Sequence, residues 1–153
     1  MEGANMAWAN SSIQDIASIA TAIGVFFAAF QLLHTRARAI TTFEDSLATE
    51  YRRITDRLPT EALLGEALAP ETQKTHFHDF YGYFDLTNNQ VFLRQIRRIS
   101  KKTWEFWAEG IQTNLARPAF ADSWAEISRR AGSDFSELRR LISEDFKKDP
   151  RSW

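Results

Sequence analysis

The chain has 153 residues, 44% of them hydrophobic and 25% charged, which suits one folded domain and excludes an extended disordered chain. It has no cysteine, so a disulfide scaffold, a thiolate metal site and a cysteine nucleophile are excluded together. A formal net charge of −1 supplies no basic field to draw the whole protein onto nucleic acid, which is not an expected partner.

The charges are unevenly placed. All 19 Lys and Arg lie in residues 34–153, and residues 16–33, IASIATAIGVFFAAFQLL, carry no charge at all. A helix over those residues is about 27 Å long, and roughly 17–25 residues cross a hydrocarbon core about 30 Å thick. The pattern predicts a transmembrane helix over 13–33, after a short extracytoplasmic N-terminus at 1–12. Ser18 and Thr21 return their hydroxyls to backbone carbonyls one turn earlier, which lowers their cost in lipid. The alternative is a buried helix of a soluble bundle, which needs partners on every face from the rest of the chain. A cleaved signal peptide lacks its basic leading region here. His34, Arg36 and Arg38 follow the span directly, and positive residues stay on the cytoplasmic side. The N-terminus is therefore expected outside and residues 34–153 inside, with Trp8 as an interfacial anchor. Within the span Ala20, Gly24 and Ala28 recur every fourth residue. Such a small-residue stripe predicts self-association in lipid.

The helical period continues past the span. Ile40, Phe43, Leu47, Tyr51, Ile54 and Leu58 are spaced 3, 4, 4, 3 and 4 apart, and Pro59 is the first breaker. One long helix is expected from about Ser12 to Arg57, with Ser11 or Ser12 as its cap. A short helix over Thr60–Leu68 and a longer one over Glu71–Arg97 follow, the latter opened by Pro70 and kinked at Asn88-Asn89. Its expected inward face is Phe77, Phe80, Tyr81, Phe84, Asn88, Val91, Phe92 and Gln95, with Tyr83 off that stripe and free to be exposed. Ser100 caps the next helix, which reaches Ala116 with Trp104, Trp107, Ile111 and Leu115 inward. Pro118–Arg130 follows, stopped by Gly132. Ser133 or Asp134, with Glu137 completing a capping box, opens a last helix to about Lys148. No stretch alternates with period two. The expected fold is all-α: one transmembrane helix continuing into a long amphipathic helix that packs in a five- to six-helix cytoplasmic domain.

Little of the sequence points to chemistry. His76 and His78 diverge by about 200° on a helix and cannot share a metal. There is no H-E-x-x-H, no G-x-S-x-G and no clustered-glycine loop, so neither a metal, a cofactor nor an enzymatic activity is expected. The carboxylates of Glu44-Asp45 and Glu144-Asp145 read as solvated helix faces. Arg94, Arg97, Arg98, Lys101 and Lys102 form the densest positive cluster, either a solvated helix end or a contact for anionic lipid heads. Asp85, Asn88 and Asn89 read as a polar network bonded to Arg97, Arg98 or indole N–H groups. Tyr81, Tyr83, Trp104 and Trp107 are the residues that would line a small-molecule pocket.

Tyr83-Phe84-Asp85-Leu86-x-Asn88-x-Gln90, Arg98-Ile99-Ser100, Trp104-x-x-Trp107-x-x-Gly110-Ile111 and Pro118-Ala119-Phe120-x-x-x-Trp124 resemble a bacterial family. Its members are short proteins with one N-terminal span and a helical cytoplasmic domain. The resemblance covers most of the chain and implies an inner-membrane location with no catalytic residues or cofactor. The leading expectation is a non-enzymatic single-pass membrane protein, self-associating through its span and presenting its helical domain to a cytoplasmic protein. A signalling, scaffolding or membrane-acting effector role would fit that layout. A membrane-proximal small-molecule or lipid sensor is the alternative, and a soluble helical binding module is a third reading.

Overall fold

The computed structural model describes the backbone of residues 2–153 and the side chains of residue 21 and residues 24–35 and 38–153. Among these the chain is all-helical, without a strand: α1 (Glu2–Thr55), α2 (Thr60–Leu64), α3 (Pro70–Thr75), α4 (Phe77–Gln95), α5 (Lys101–Leu115), α6 (Pro118–Arg130), α7 (Ser136–Ser143) and a 3-10 turn at Pro150–Ser152. They form two compact units, Met1–Thr41 and Thr42–Trp153.

In the first unit the described side chains belong to α1. Val25, Phe26, Phe27, Phe30, Leu32 and Leu33 are each 57–72% exposed. Phe30 and His34, one turn apart, meet edge-on at 5.9 Å. Among the described residues no helix is long and apolar enough to cross a membrane. The side chains of residues 13–20, 22 and 23 of the expected span, Ala20 among them, lie outside the described residues, as do those of Trp8, Ser11, Ser12 and Arg36.

In the second unit α1 buries Leu47 and Ile54 and packs Phe43 and Tyr51 against the core, as the spacing predicts. It ends at Thr55 ahead of Pro59, and the chain tightens through Arg57 N–H to Ile54 C=O at 3.1 Å. α2 is shorter than expected because Gly65 takes φ +91, a left-handed conformation that stops the helix four residues early. The helix expected over 71–97 is two helices, with His76 closing α3 and opening α4. α4 then runs unbroken through Asn88-Asn89, where the sequence predicts a kink. It stops in a Schellman pair, Arg98 N–H to Leu93 C=O at 2.9 Å and Arg97 N–H to Arg94 C=O at 3.1 Å, with Arg97 at φ +65.

Ser100 caps α5 as expected, its Oγ accepting from the Thr103 N–H at 3.2 Å. α7 departs from expectation. Phe135 at φ +62 precedes it, and neither Ser133 nor Asp134 caps it. Asn88 of α4 supplies the cap instead, its Oδ1 accepting from the Leu138 N–H at 3.0 Å while its Nδ2 donates to Glu137 at 3.3 Å. A cap lent from 50 positions upstream leaves no local pattern to read. α7 also ends at Ser143 rather than near Lys148, because Asp145 and Phe146 both adopt positive φ.

α4 lies at the centre, against α3, α6, α7 and the 3-10 turn, and α6 also meets α2 and α5. Phe80, Tyr83 and Phe84 surround Phe120 edge-on at 5.2, 4.9 and 6.5 Å. Trp124 continues the cluster, 5.1 Å from Phe84 and 5.8 Å from Phe135. Such pairs add about 0.5–1.5 kcal/mol each beyond the area they bury. This aromatic centre fixes the rotation of α4 and hence which of its polar residues turn inward.

Candidate functional site

Tyr83, Thr87, Gln90 and Arg94 follow one another at steps of 4, 3 and 4 along α4, so they share one face, and all four are buried. Arg94 is 3% exposed. Its Nε donates to Asp149 at 2.8 Å, a second guanidinium nitrogen donates to the other oxygen of the same carboxylate, and its third donates to the Ile99 carbonyl at 2.8 Å. The guanidinium bonds hold the Asp149 carboxyl below the usual carboxylate range. Arg94 is thereby withdrawn from the cationic surface with which the sequence groups it. Arg97, Arg98, Lys101 and Lys102 remain exposed. Arg98 stacks over Phe43 at 5.9 Å, and Lys101 pairs with Glu105 at 3.5 Å.

The other polar expectations are redistributed. Glu44 is no solvated residue: its Oε1 accepts the Ser100 N–H at 2.6 Å and its Oε2 the Thr103 hydroxyl at 2.7 Å. It sits over the start of α5, where the helix dipole favours an anion. Asp85 and Asn89 are exposed, so only Asn88 of that trio enters a network, and its partners are on α7 rather than Arg97, Arg98 or an indole. His76 contacts Asp79 at 3.3 Å, and Asp79 also pairs with Arg57 at 3.2 Å. Among the described residues no three acidic, His or Cys side chains gather as a metal site.

The polar face of α4 opens into a cavity of about 640 Å³ between α4, α5 and the end of α1. That volume falls in the roughly 300–1,000 Å³ range of small-molecule pockets. Its floor holds the buried Tyr83, Gln90, Ile111 and Asn114, and its walls include Tyr51, Phe106 and Trp107. Arg52, Glu109 and Arg117 bring the charges to its lining. Tyr83 is 1% exposed, contrary to its place off the predicted stripe. Burial pushes its phenol well above the ordinary tyrosine value, opposed by a hydrogen bond from Asn114 Nδ2 at 2.9 Å. Asn114 Oδ1 accepts from Arg117 at 2.6 Å, which locks the amide's orientation.

Of the aromatic residues expected to line a pocket, Tyr83 and Trp107 do so. Trp104 is buried in the core, and Tyr81 packs edge-on against Phe135 at 5.4 Å on another side of α4. Sequence reasoning missed Gln90, Asn114, Arg52 and Arg117. The helical recurrence of 83, 87, 90 and 94 was the available signal for Gln90. A more open recess of about 470 Å³ is lined by Glu50, Arg57, Asp85, Asn88 and Glu137 among others. The sequence matches no family model, no curated protein and no solved structure.

Proposed function

We propose that the chain is a non-enzymatic, single-pass protein of a bacterial inner membrane, anchored by residues 13–33, with its N-terminus outside and residues 34–153 in the cytoplasm. It presents the Thr42–Trp153 unit to a cytoplasmic protein, and copies associate through Ala20, Gly24 and Ala28.

The observation that carries this reading is the exposure of six large apolar side chains between Val25 and Leu33. They point to most sides of the helix at about 100° per residue. Leaving them in water forgoes on the order of 10 kcal/mol, comparable with the whole stability of a domain. Lipid covers such a surface on all sides. His34 and Arg38, just beyond it, suit the cytoplasmic interface. Gly24 and Ala28 fall between the large residues on the wheel, and nothing lies within 4 Å of a Cβ built at Gly24. Gly24→Ile is therefore accommodated within one chain and reports on contact between chains.

Membrane fractionation with a reporter at each terminus tests the anchor, and sizing in mild detergent tests the stripe. The expected result is a carbonate-resistant protein with its C-terminus inside, whose oligomer is lost in Gly24→Ile. Extraction by carbonate overturns the anchor, and an oligomer indifferent to Gly24→Ile overturns the stripe.

A further inference from the structure

The floor of the cavity between α4, α5 and the end of α1 contains a polar group that the fold does not use. Gln90 is 3% exposed, yet its side-chain amide makes no hydrogen bond among the described residues. Among the described residues the sealed polar side-chain atoms without a partner belong to Glu144 and Trp153, so the Gln90 amide atoms reach the open cavity and have both a donor and an acceptor to offer to whatever enters. Beside it the Tyr83 hydroxyl accepts from Asn114 at 2.9 Å. Arg52 and Arg117 carry two guanidiniums on the lining that form no ion pair among the described residues, against the single carboxylate of Glu109. Tyr51, Phe106 and Trp107 supply aromatic faces, and Phe106 is 74% exposed, an apolar ring in water at the lip.

We propose that this cavity binds a nucleoside monophosphate, its base stacked among Tyr51, Phe106 and Trp107 with an edge on the Gln90 amide, and its phosphate held by Arg52 and Arg117. Each part answers one feature. A primary amide pairs two adjacent polar atoms of a base edge. Aromatic walls accept a flat base on either face. Guanidiniums bind phosphate oxygens through paired N–H donors. Asn114 braces Arg117 by a 2.6 Å bond and so presents one of the two cations in a fixed place. The inference concerns the Thr42–Trp153 unit alone and does not depend on where residues 13–33 lie.

The test is isothermal titration of the full chain in detergent micelles with AMP, GMP, CMP and UMP. Inorganic phosphate and the corresponding nucleosides are run as separate arms, and Trp fluorescence is recorded in parallel. At least one monophosphate is expected to bind saturably and to quench Trp107, more tightly than its nucleoside or phosphate alone. Gln90→Leu keeps the volume and removes the amide. It is expected to weaken that binding at least tenfold while the unliganded protein melts no lower than the wild type. Phe106→Ala, at an exposed position, is expected to weaken it several-fold with an unchanged melting temperature. Arg52→Ala is expected to flatten the salt dependence of nucleotide binding and to leave nucleoside binding as it was. The proposal is overturned if none of the four binds at about 1 mM, or if phosphate alone binds as tightly. Binding indifferent to both Gln90→Leu and Phe106→Ala, or a Gln90→Leu chain that melts lower, also overturns it.

Discussion

Replacing Asp149 by Ala removes the carboxylate that holds Arg94, and the size of the loss follows from where the two groups sit. Arg94 is nearly sealed, its side chain 4% exposed, whereas a third of the Asp149 side chain faces water. Two charge-assisted hydrogen bonds at about 1.5–3 kcal/mol each set the upper bound. Solvent reaching the carboxylate side lowers the expected loss to about 2–3 kcal/mol. For a unit of this size that is a fall in Tm of about 10 °C. Asp149 Oδ1 also accepts the Arg151 N–H at 3.0 Å, so the single substitution overstates the pair. A double-mutant cycle with Arg94→Met cancels that contribution and isolates a coupling of about 2 kcal/mol by urea unfolding. The folded carboxyl lies below its unfolded value. Its stabilisation is therefore complete above the unfolded pKa near 4 and fades as pH falls through the folded one. The gap between wild type and Asp149→Asn should be constant from about pH 7 to 5 and shrink below about pH 4. A coupling under about 0.5 kcal/mol, or an Arg94→Met chain that loses vesicle binding but no stability, would return Arg94 to the surface and refute the reasoning.

Two other substitutions probe the polar contacts that position the helices. Glu44→Ala leaves the Ser100 N–H and the Thr103 hydroxyl without their acceptor and should cost about 1–2 kcal/mol in urea unfolding, and Thr103→Ala made together with it should add little if the contact is shared. The chain has three tyrosines; in alkaline absorbance titration Tyr83, raised by burial, should stay protonated until the protein unfolds, and Tyr83→Phe should remove that late step. A titration in which all three ionise together on the folded protein would contradict the buried placement.

The helices were legible where a residue's own chemistry decides the backbone. Pro59, Pro70 and Pro118 punctuate as their rings demand, and Ser100 caps through its own hydroxyl. The spacing of Phe43, Leu47, Tyr51 and Ile54 places the end of α1 on the core. The pattern misleads where a neighbour decides. On α4 the apolar residues define a stripe that includes Tyr81 and Phe92, both of which are exposed. The buried arc covers roughly half the helix and is turned by about 100° from that stripe. It takes in Thr87, Gln90 and Arg94 because α4 is covered by α6, α7 and the 3-10 turn together. A hydropathy period locates one face of a helix packed on one side; it does not locate the centre of a helix packed on several. The cavity was half legible for the same reason. Tyr83 and Trp107 stand out as aromatics, while Gln90 and Asn114 acquire their roles only through burial against other elements.

The cap that Asn88 lends to Leu138 has a consequence for the order in which the chain acquires structure. α7 has eight residues, too few to persist as an isolated helix in water, and the amide at its start is satisfied only by a side chain made 50 residues earlier. During synthesis α4 leaves the ribosome first, but its Asn88 has no mate until Leu138 emerges. α7 therefore condenses onto a finished template instead of seeding one. A nascent chain arrested short of Leu138 leaves the flank of α4 around Asn88 without its α7 cover, and that flank is where a chaperone would find its handhold.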